Sequence, residues 1–82
     1  MPIKVYGADW CHMTTDTLAH LKHLGVHHEY IDIEKDKHAA AFVRSHNQGR
    51  EKKPTLDLDG TILVEPDNDE LDDTLRRLNL LT

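Results

Sequence analysis

Cys11 is the only cysteine in the 82-residue chain, and its position suits a nucleophile. It follows a short β-rich run at residues 3–6 and the turn Gly7-Ala8-Asp9, and a helical pattern begins beside it. The N–H groups and dipole of a helix N-terminus stabilise a thiolate, whose ordinary pKa is about 8.5. The sequence therefore predicts a reactive thiol. A small buried core cysteine is the competing interpretation, and the negative charge of nearby Asp9 opposes thiolate formation.

Thr14 lies three residues after Cys11, on the same side of the predicted helix. Its hydroxyl could hydrogen-bond the thiolate, although an ordinary first-turn threonine is an equally open interpretation. A second cysteine at this position would have made a Cys-x-x-Cys dithiol. Because the chain has no second thiol, any turnover at Cys11 must take its second sulfur from another molecule.

Histidine is frequent in this chain, with seven residues. A cluster at the end of the first predicted helix comprises His20, His23, His27 and His28. Their i, i+3 and i, i+4 spacing can chelate zinc or nickel on a continuous helix, but Gly25 interrupts this one. We therefore favour solvated or half-buried histidines and predict no metal site. His12 would stabilise the Cys11 thiolate if protonated, yet a residue one position along a helix points away.

The net charge of the chain argues against one class of binding partner, nucleic acid. Ten Lys and Arg stand against fifteen Asp and Glu, which gives a net charge of −5 and disfavours binding to nucleic acid. No apolar stretch is long enough to cross a bilayer, and the start of the chain lacks a secretory signal pattern. We expect a cytoplasmic protein with no membrane partner. The length suits a single domain over residues 1–82, which we expect to be a monomer.

Hydrophobic periodicity and the Gly and Pro positions predict the elements that place Cys11. These are strands at 3–6 and 29–33, helices from about 11 to 25 and from 36 to about 48, a hairpin over 55–64 that turns at Asp59-Gly60, and a last helix from 66 onward. The first helix carries an apolar side of Leu18, Leu21 and Leu24, close to Met13 and Thr17. The order β-α-β-α-β-β-α, with its right-handed crossover and final hairpin, predicts an α/β fold with a four-stranded mixed sheet and three helices.

The stretch Val5-Tyr6-Gly7-Ala8-Asp9-Trp10-Cys11-His12-Met13-Thr14 resembles the active-site loop of the glutaredoxins, including the aromatic residue before the nucleophile. Four later stretches are similar to those of mycoredoxins and of the glutaredoxin-like redoxins that serve ribonucleotide reductase. They are Tyr30-Ile31-Asp32-Ile33-Glu34, Ala39-Ala40-Ala41-Phe42-Val43, Lys53-Pro54-Thr55-Leu56 and Pro66-Asp67-Asn68-Asp69-Glu70-Leu71. The resemblance extends from Ile3 to Leu80.

This resemblance implies a thioredoxin fold in which Pro54 is cis and lies beside the nucleophile, with its neighbouring backbone pairing with a bound thiol substrate. It also implies that three residues at the start of the last helix lie where glutaredoxins hold the γ-glutamyl end of glutathione. These are Asp67, Asn68 and Asp69. A simple helix cap explains the same residues equally well.

Two positions depart from the family pattern. Many glutaredoxins carry a lysine where this chain has Ala8, and a valine usually precedes the cis-proline where this chain has Lys53. Lys53 would then supply positive charge near Cys11 and its substrate. The sequence Cys11-His12-Met13-Thr14 is also neither the dithiol of the reductase-type members nor the Cys-Gly-Phe-Ser of the iron–sulfur-carrying branch.

The leading hypothesis is a monothiol glutaredoxin-like oxidoreductase that reduces disulfides between proteins and a low-molecular-weight thiol, such as glutathione or a mycothiol-like thiol. Cys11 would attack and Thr14 would stabilise its sulfur, with no covalently bound cofactor. Substrate contacts are expected from Trp10, His12, Met13, Lys53, Pro54, Asp67, Asn68 and Asp69. Two alternatives stay open: an iron–sulfur cluster held between two chains by Cys11 and external thiols, and a folded interaction module without catalysis.

Overall fold

The computed structural model describes residues 3–81, so Met1, Pro2 and Thr82 of the expected domain lie outside the described residues. The elements are β1 (Ile3–Gly7), α1 (His12–His23), β2 (Glu29–Asp32), α2 (Lys37–His46), β3 (Thr55–Leu58), β4 (Thr61–Val64) and α3 (Asn68–Arg77). The predicted order β-α-β-α-β-β-α is confirmed. Within the described range, no helix has the length and apolar character needed to cross a membrane.

The four strands form one mixed sheet in the order β2-β1-β3-β4. β1 runs parallel to β2 and antiparallel to β3, and β4 returns antiparallel to β3. The parallel pair needs a long crossover, which α1 provides, whereas β3 and β4 need only the tight turn at Asp59-Gly60. The predicted sheet is therefore confirmed, and β1 lies in its interior, where it leads the chain directly into the Cys11 turn.

The alternation of side chains along the strands divides the core between the two faces of the sheet. One face packs against α1 and α3 through Ile3, Val5, Leu21, Leu56, Leu58, Leu71 and Leu75. The other face packs against α2 through Tyr6, Ile33, Ala39, Ala40 and Val43. The site-bearing helix α1 and the helix α3 therefore lie on the same side of the sheet.

The buried side of α1 differs from the predicted one at its first turn. Met13 is 45% exposed, whereas Thr14 and Thr17 are buried together with Leu21. The reason is the helical period: counting back four and seven residues from Leu21 gives Thr17 and Thr14, and Met13 is rotated off that stripe. The placement of Met13 close to the apolar stripe was wrong, and its side chain is available at the surface beside Cys11.

Helix and strand ends differ slightly from the predicted bounds. The first helix stops at His23, and Gly25 follows in the left-handed region with φ +72. The second helix covers Lys37–His46 and not the whole of 36–48, because Asp36 is its N-cap and Asn47 leaves the helical conformation with φ −135. Strand β2 ends at Asp32, but Ile33 stays in the core and donates its N–H to the Gly7 carbonyl at 3.0 Å.

Candidate functional site

Cys11 is the N-cap residue of α1, in an extended conformation with φ −80 and ψ 115. Its N–H donates to the Ala8 carbonyl at 3.1 Å, which closes the turn after β1, and its own carbonyl accepts from the Thr15 N–H at 3.1 Å. The side chain is partly exposed. The sulfur therefore lies at the open end of the helix, next to backbone N–H groups that have no partner within the helix.

The surroundings of Cys11 favour its thiolate. Burial raises the pKa of the thiol, but hydrogen bonds from the Thr14 hydroxyl and from the N–H groups of Thr14 and Met13 lower it, as does the positive charge of Lys53. Together these lowering effects outweigh the effect of burial, so the pKa of Cys11 lies below its ordinary value. This is the combination expected of a reactive and not a structural cysteine.

Thr14 is fully buried between the nucleophile and the end of β1. Its hydroxyl oxygen also accepts from the Ala8 N–H at a long 3.5 Å. A Cβ added at Gly7 would lie 2.5 Å from that oxygen, which is an overlap. Gly7 is therefore a requirement of the site: only a residue without a side chain lets Thr14 pack this closely against β1.

Lys53 and Pro54 lie beside the nucleophile, joined by a cis peptide bond as the resemblance implied. The Cys11 thiol donates to the Lys53 carbonyl, with 3.9 Å between sulfur and oxygen. The Pro54 carbonyl accepts from the Glu65 N–H at 2.8 Å, which ties the turn to the end of β4. The two distant segments of the chain that the sequence singled out are thus brought together at one sulfur.

Trp10 is 67% exposed but is held on two sides. Its indole N–H donates to a Glu34 carboxylate oxygen at 2.6 Å, and the Lys53 ammonium lies 5.3 Å from the ring centroid. This is a cation–π geometry. Asp9, the residue before Trp10, accepts a hydrogen bond from the Tyr30 hydroxyl at 2.7 Å. Burial, together with the hydrogen bond and charge of Asp9, raises the pKa of Tyr30. An exposed aromatic platform therefore stands next to the thiol.

An open pocket of about 230 Å³ lies between the first half of α1 and the start of α3, and Met13, two residues after Cys11, lines it. Its lining residues are Met13, Asp16, Thr17, Pro66, Asp67 and Asn68. Asp67 accepts from the Glu70 N–H at 2.8 Å and thus caps α3, which is one of the two roles foreseen for it. Asp69 is exposed in the first turn of the same helix.

The histidines take structural or solvent-exposed positions. The side chain of His12 is 89% exposed and its Nε2 lies 3.2 Å from Asp16, on the outer face of α1. His20 pairs with Asp72 at 2.7 Å, which links α1 to α3, and His28 bonds the Val26 carbonyl at 2.8 Å. Within residues 3–81, no group of three or more His, Cys, Asp or Glu is arranged to hold a metal ion.

Sequence reasoning missed two residues near the site, Asn47 and Thr55, which are both buried and polar. Asn47 stands at the end of α2, where an asparagine before glycine-containing sequence looks like an ordinary helix stop. Thr55 begins β3, where a threonine is unremarkable in composition. Burial was the missing signal, because a buried polar side chain must find hydrogen-bond partners.

Loss of the Lys53 charge is expected to raise the pKa of Cys11 modestly. Lys53→Met keeps the aliphatic stem but removes the charge, and because the site is partly exposed we expect only a small rise in the pKa of Cys11 and an alkylation rate about twofold lower at neutral pH. The pH dependence of alkylation by iodoacetamide measures this. Lys52→Met carries the same charge change one residue earlier and serves as the control. Equal shifts in both variants would show that only net charge matters.

Comparisons with known proteins identify the family and the fold. A family model described as Glutaredoxin matches residues 3–63, more than half of the chain. A search of curated proteins finds no match. Among solved structures, a glutaredoxin from Archaeoglobus fulgidus is 25% identical, with 92% of this chain and 86% of that chain covered and a TM-score of 0.80.

Two further solved structures support the fold. A mutant of a thioredoxin-like protein is 24% identical, with 96% of each chain covered and a TM-score of 0.75. The holo form of a glutaredoxin from Populus tremula x tremuloides is 17% identical, with 96% of this chain and 81% of that chain covered and a TM-score of 0.68. The expected thioredoxin-like fold is confirmed.

Proposed function

The chain belongs to the glutaredoxin family, and we propose that it is a monothiol oxidoreductase that reduces mixed disulfides between proteins and low-molecular-weight thiols. Family membership supports redox chemistry of thiols and disulfides in general. One observation carries the narrower proposal: the only thiol of the chain belongs to the N-cap residue of α1 and lies among groups that lower its pKa. A thiolate at neutral pH is the species that attacks a disulfide.

The reaction has two exchange steps. The Cys11 thiolate attacks the small-thiol sulfur of the mixed disulfide; the bond from Cys11 to that sulfur forms, and the protein thiolate leaves and takes a proton from water. A second small thiol, as its thiolate, then attacks the same sulfur and releases Cys11. The protein sulfur is reduced, the sulfur of the arriving thiol is oxidised, and the two small thiols depart as a disulfide.

The flanking groups suit binding of a small thiol that carries charge. The Lys53 ammonium stands where a substrate carboxylate can approach the Cys11 sulfur, and it supplies the cation that Ala8 does not. A second place is the pocket that Met13 lines, which reaches Asp67 and Asn68 at the start of α3. We propose that the ends of a glutathione-like or mycothiol-like thiol occupy these two places, with Trp10 and Pro54 framing the disulfide. The substrate contact expected from His12 stays a prediction; in this structure its side chain is exposed and lies against Asp16.

The direct test is formation of the intermediate. Reduced protein incubated with glutathione disulfide should gain one glutathione by intact mass, the adduct should map to Cys11, and added glutathione should remove it. Cys11→Ser is the control and should gain nothing. Failure of the wild-type protein both to form the adduct and to reduce an S-glutathionylated protein would overturn the proposal. Visible absorbance of anaerobically purified protein, with iron-dependent dimerisation, would favour the cluster-binding alternative instead.

A further inference from the structure

Asn47 connects helix α2 to the turn that faces the nucleophile. It is 3% exposed, and its side-chain nitrogen donates to the Val43 carbonyl at 2.8 Å and to the Thr55 hydroxyl oxygen at 3.4 Å. Thr55 is fully buried and donates its own hydroxyl to the Lys52 carbonyl at 2.8 Å. A continuous chain of hydrogen bonds therefore runs from α2 to the residue immediately before Lys53.

The direction of this chain follows from its donors and acceptors. The two amide hydrogens of Asn47 go to the Val43 carbonyl and to the Thr55 hydroxyl oxygen. Because Thr55 accepts from Asn47, the one hydroxyl proton of Thr55 is left to donate to the Lys52 carbonyl. The Val43 carbonyl is one of the last in α2 and receives from the Asn47 side chain in place of a helical N–H. The Asn47 amide nitrogen and the Thr55 hydroxyl thus each have a definite role, and removal of either leaves a buried partner unsatisfied.

The segment held in this way supplies two groups to the site. The Lys53 carbonyl lies 3.9 Å from the Cys11 sulfur, and the Lys53 ammonium rests 5.3 Å from the Trp10 ring centroid. Asn47 also fixes the other end of the connection, since its carbonyl accepts from the Arg50 N–H at 3.0 Å. The connection from α2 to β3 is thus anchored at both ends by one residue, on the side of the sheet away from α1.

We propose that Asn47, acting through Thr55 and Lys52, is a positioning residue that sets where the carbonyl and ammonium of Lys53 stand relative to the Cys11 sulfur. The proposal rests on the proposed function in taking Cys11 as the nucleophile, and it adds a residue on a different helix to the machinery. Asn47 itself touches neither the sulfur nor the expected substrate. Its effect on reactivity is therefore indirect and is distinguishable from a purely structural one.

The test uses a graded series at Thr55. Thr55→Val keeps the shape and removes the hydroxyl, Thr55→Ser restores the hydroxyl, and Asn47→Ala removes the chain at its start. At pH 7 we expect alkylation of Cys11 by iodoacetamide to slow by up to about twofold in Thr55→Val and Asn47→Ala, and by less than in Lys53→Met, because the Lys53 charge is displaced and not removed. Thr55→Ser should react as the wild-type protein does. In Thr55→Val and Asn47→Ala the reaction is slower because the Lys53 charge acts on the Cys11 sulfur from a less defined position.

Thr74→Val is the matched control, because Thr74 is also a buried threonine and donates its hydroxyl to the Glu70 carbonyl within α3 at 2.8 Å. It should lower stability to denaturant while Cys11 titrates as in the wild-type protein. An unchanged Cys11 titration in Thr55→Val, or an equal change in Thr74→Val, would overturn the positioning role. Alkylation needs no turnover, so the positioning role is tested separately from the proposed function. The proposed function fails only if the wild-type protein neither forms the mixed disulfide nor reduces an S-glutathionylated protein.

Discussion

Replacement of Thr14 by valine is expected to raise the pKa of Cys11 and to slow its attack on disulfides about threefold at pH well below that pKa, because the loss of thiolate outweighs the higher nucleophilicity of a more basic sulfur. Valine has the shape of threonine, so the buried space stays filled, but the hydroxyl that hydrogen-bonds the Cys11 sulfur is lost. A hydrogen bond to a charged group contributes about 1.5–3 kcal/mol, and the lower end applies because Cys11 is partly exposed. Iodoacetamide alkylation against pH measures the shift.

Thr15→Val is the matched control for this experiment. Thr15 follows Thr14 directly, is exposed and donates its hydroxyl to the His12 carbonyl at 3.0 Å. The same chemical change there should leave the pKa of Cys11 unaltered. If Thr14→Val and Thr15→Val behave alike, the hydroxyl of Thr14 does not stabilise the thiolate, and the backbone N–H groups together with Lys53 must account for the lowered pKa.

Gly7→Ala is expected to have the largest effect on stability, a loss of about 2–3 kcal/mol in the free energy of unfolding. The new Cβ would overlap the Thr14 side chain, and both residues are buried, so neither can move into solvent. For a domain of this size the melting temperature should fall by about 8–24 °C. The displaced Thr14 should also lose its contact with Cys11, and the pKa of the thiol should rise.

A double-mutant cycle with Thr14→Ala separates the two effects of Gly7→Ala. In the Thr14→Ala background, the added methyl group enters space vacated by the threonine, so the stability loss from Gly7→Ala should become small. The pKa of Cys11 should stay raised in the double variant, because the hydroxyl is absent. Additive stability losses in the cycle would contradict the proposed overlap and would point to a backbone effect at Gly7.

The sequence was sufficient to place Cys11 at the start of a helix because strand, turn and helix N-terminus are all local patterns. The position of Cys11 depends only on the strand and turn just before it and the helix just after it. Pro54 is different: its spacing and composition indicated no more than the start of a strand, and only the family resemblance placed it beside the sulfur. Its location depends on the antiparallel pairing of β3 with β1, which joins segments more than forty residues apart.

The limits of the sequence were sharpest for buried polar residues. Asn47 and Thr55 resemble a helix stop and a strand residue in any local window. Asn47 and Thr55 donate to the carbonyls of Val43 and Lys52. Which carbonyls need a side-chain donor is set by the tertiary fold. Met13 was misplaced for a smaller reason, a rotation of one residue about the axis of α1.

The groups around Cys11 also affect how long it stays modified. The same hydrogen bonds that make its thiolate stable make it a good leaving group, because a thiolate of lower pKa departs faster from a disulfide. A small thiol attached to this sulfur would therefore be released readily to the next thiol that arrives. If the proposed function holds, no second cysteine attacks the mixed disulfide, so the helix N-terminus and Thr14 would speed release only by stabilising the departing Cys11 thiolate, and the protein would act as a transient carrier between its two substrates.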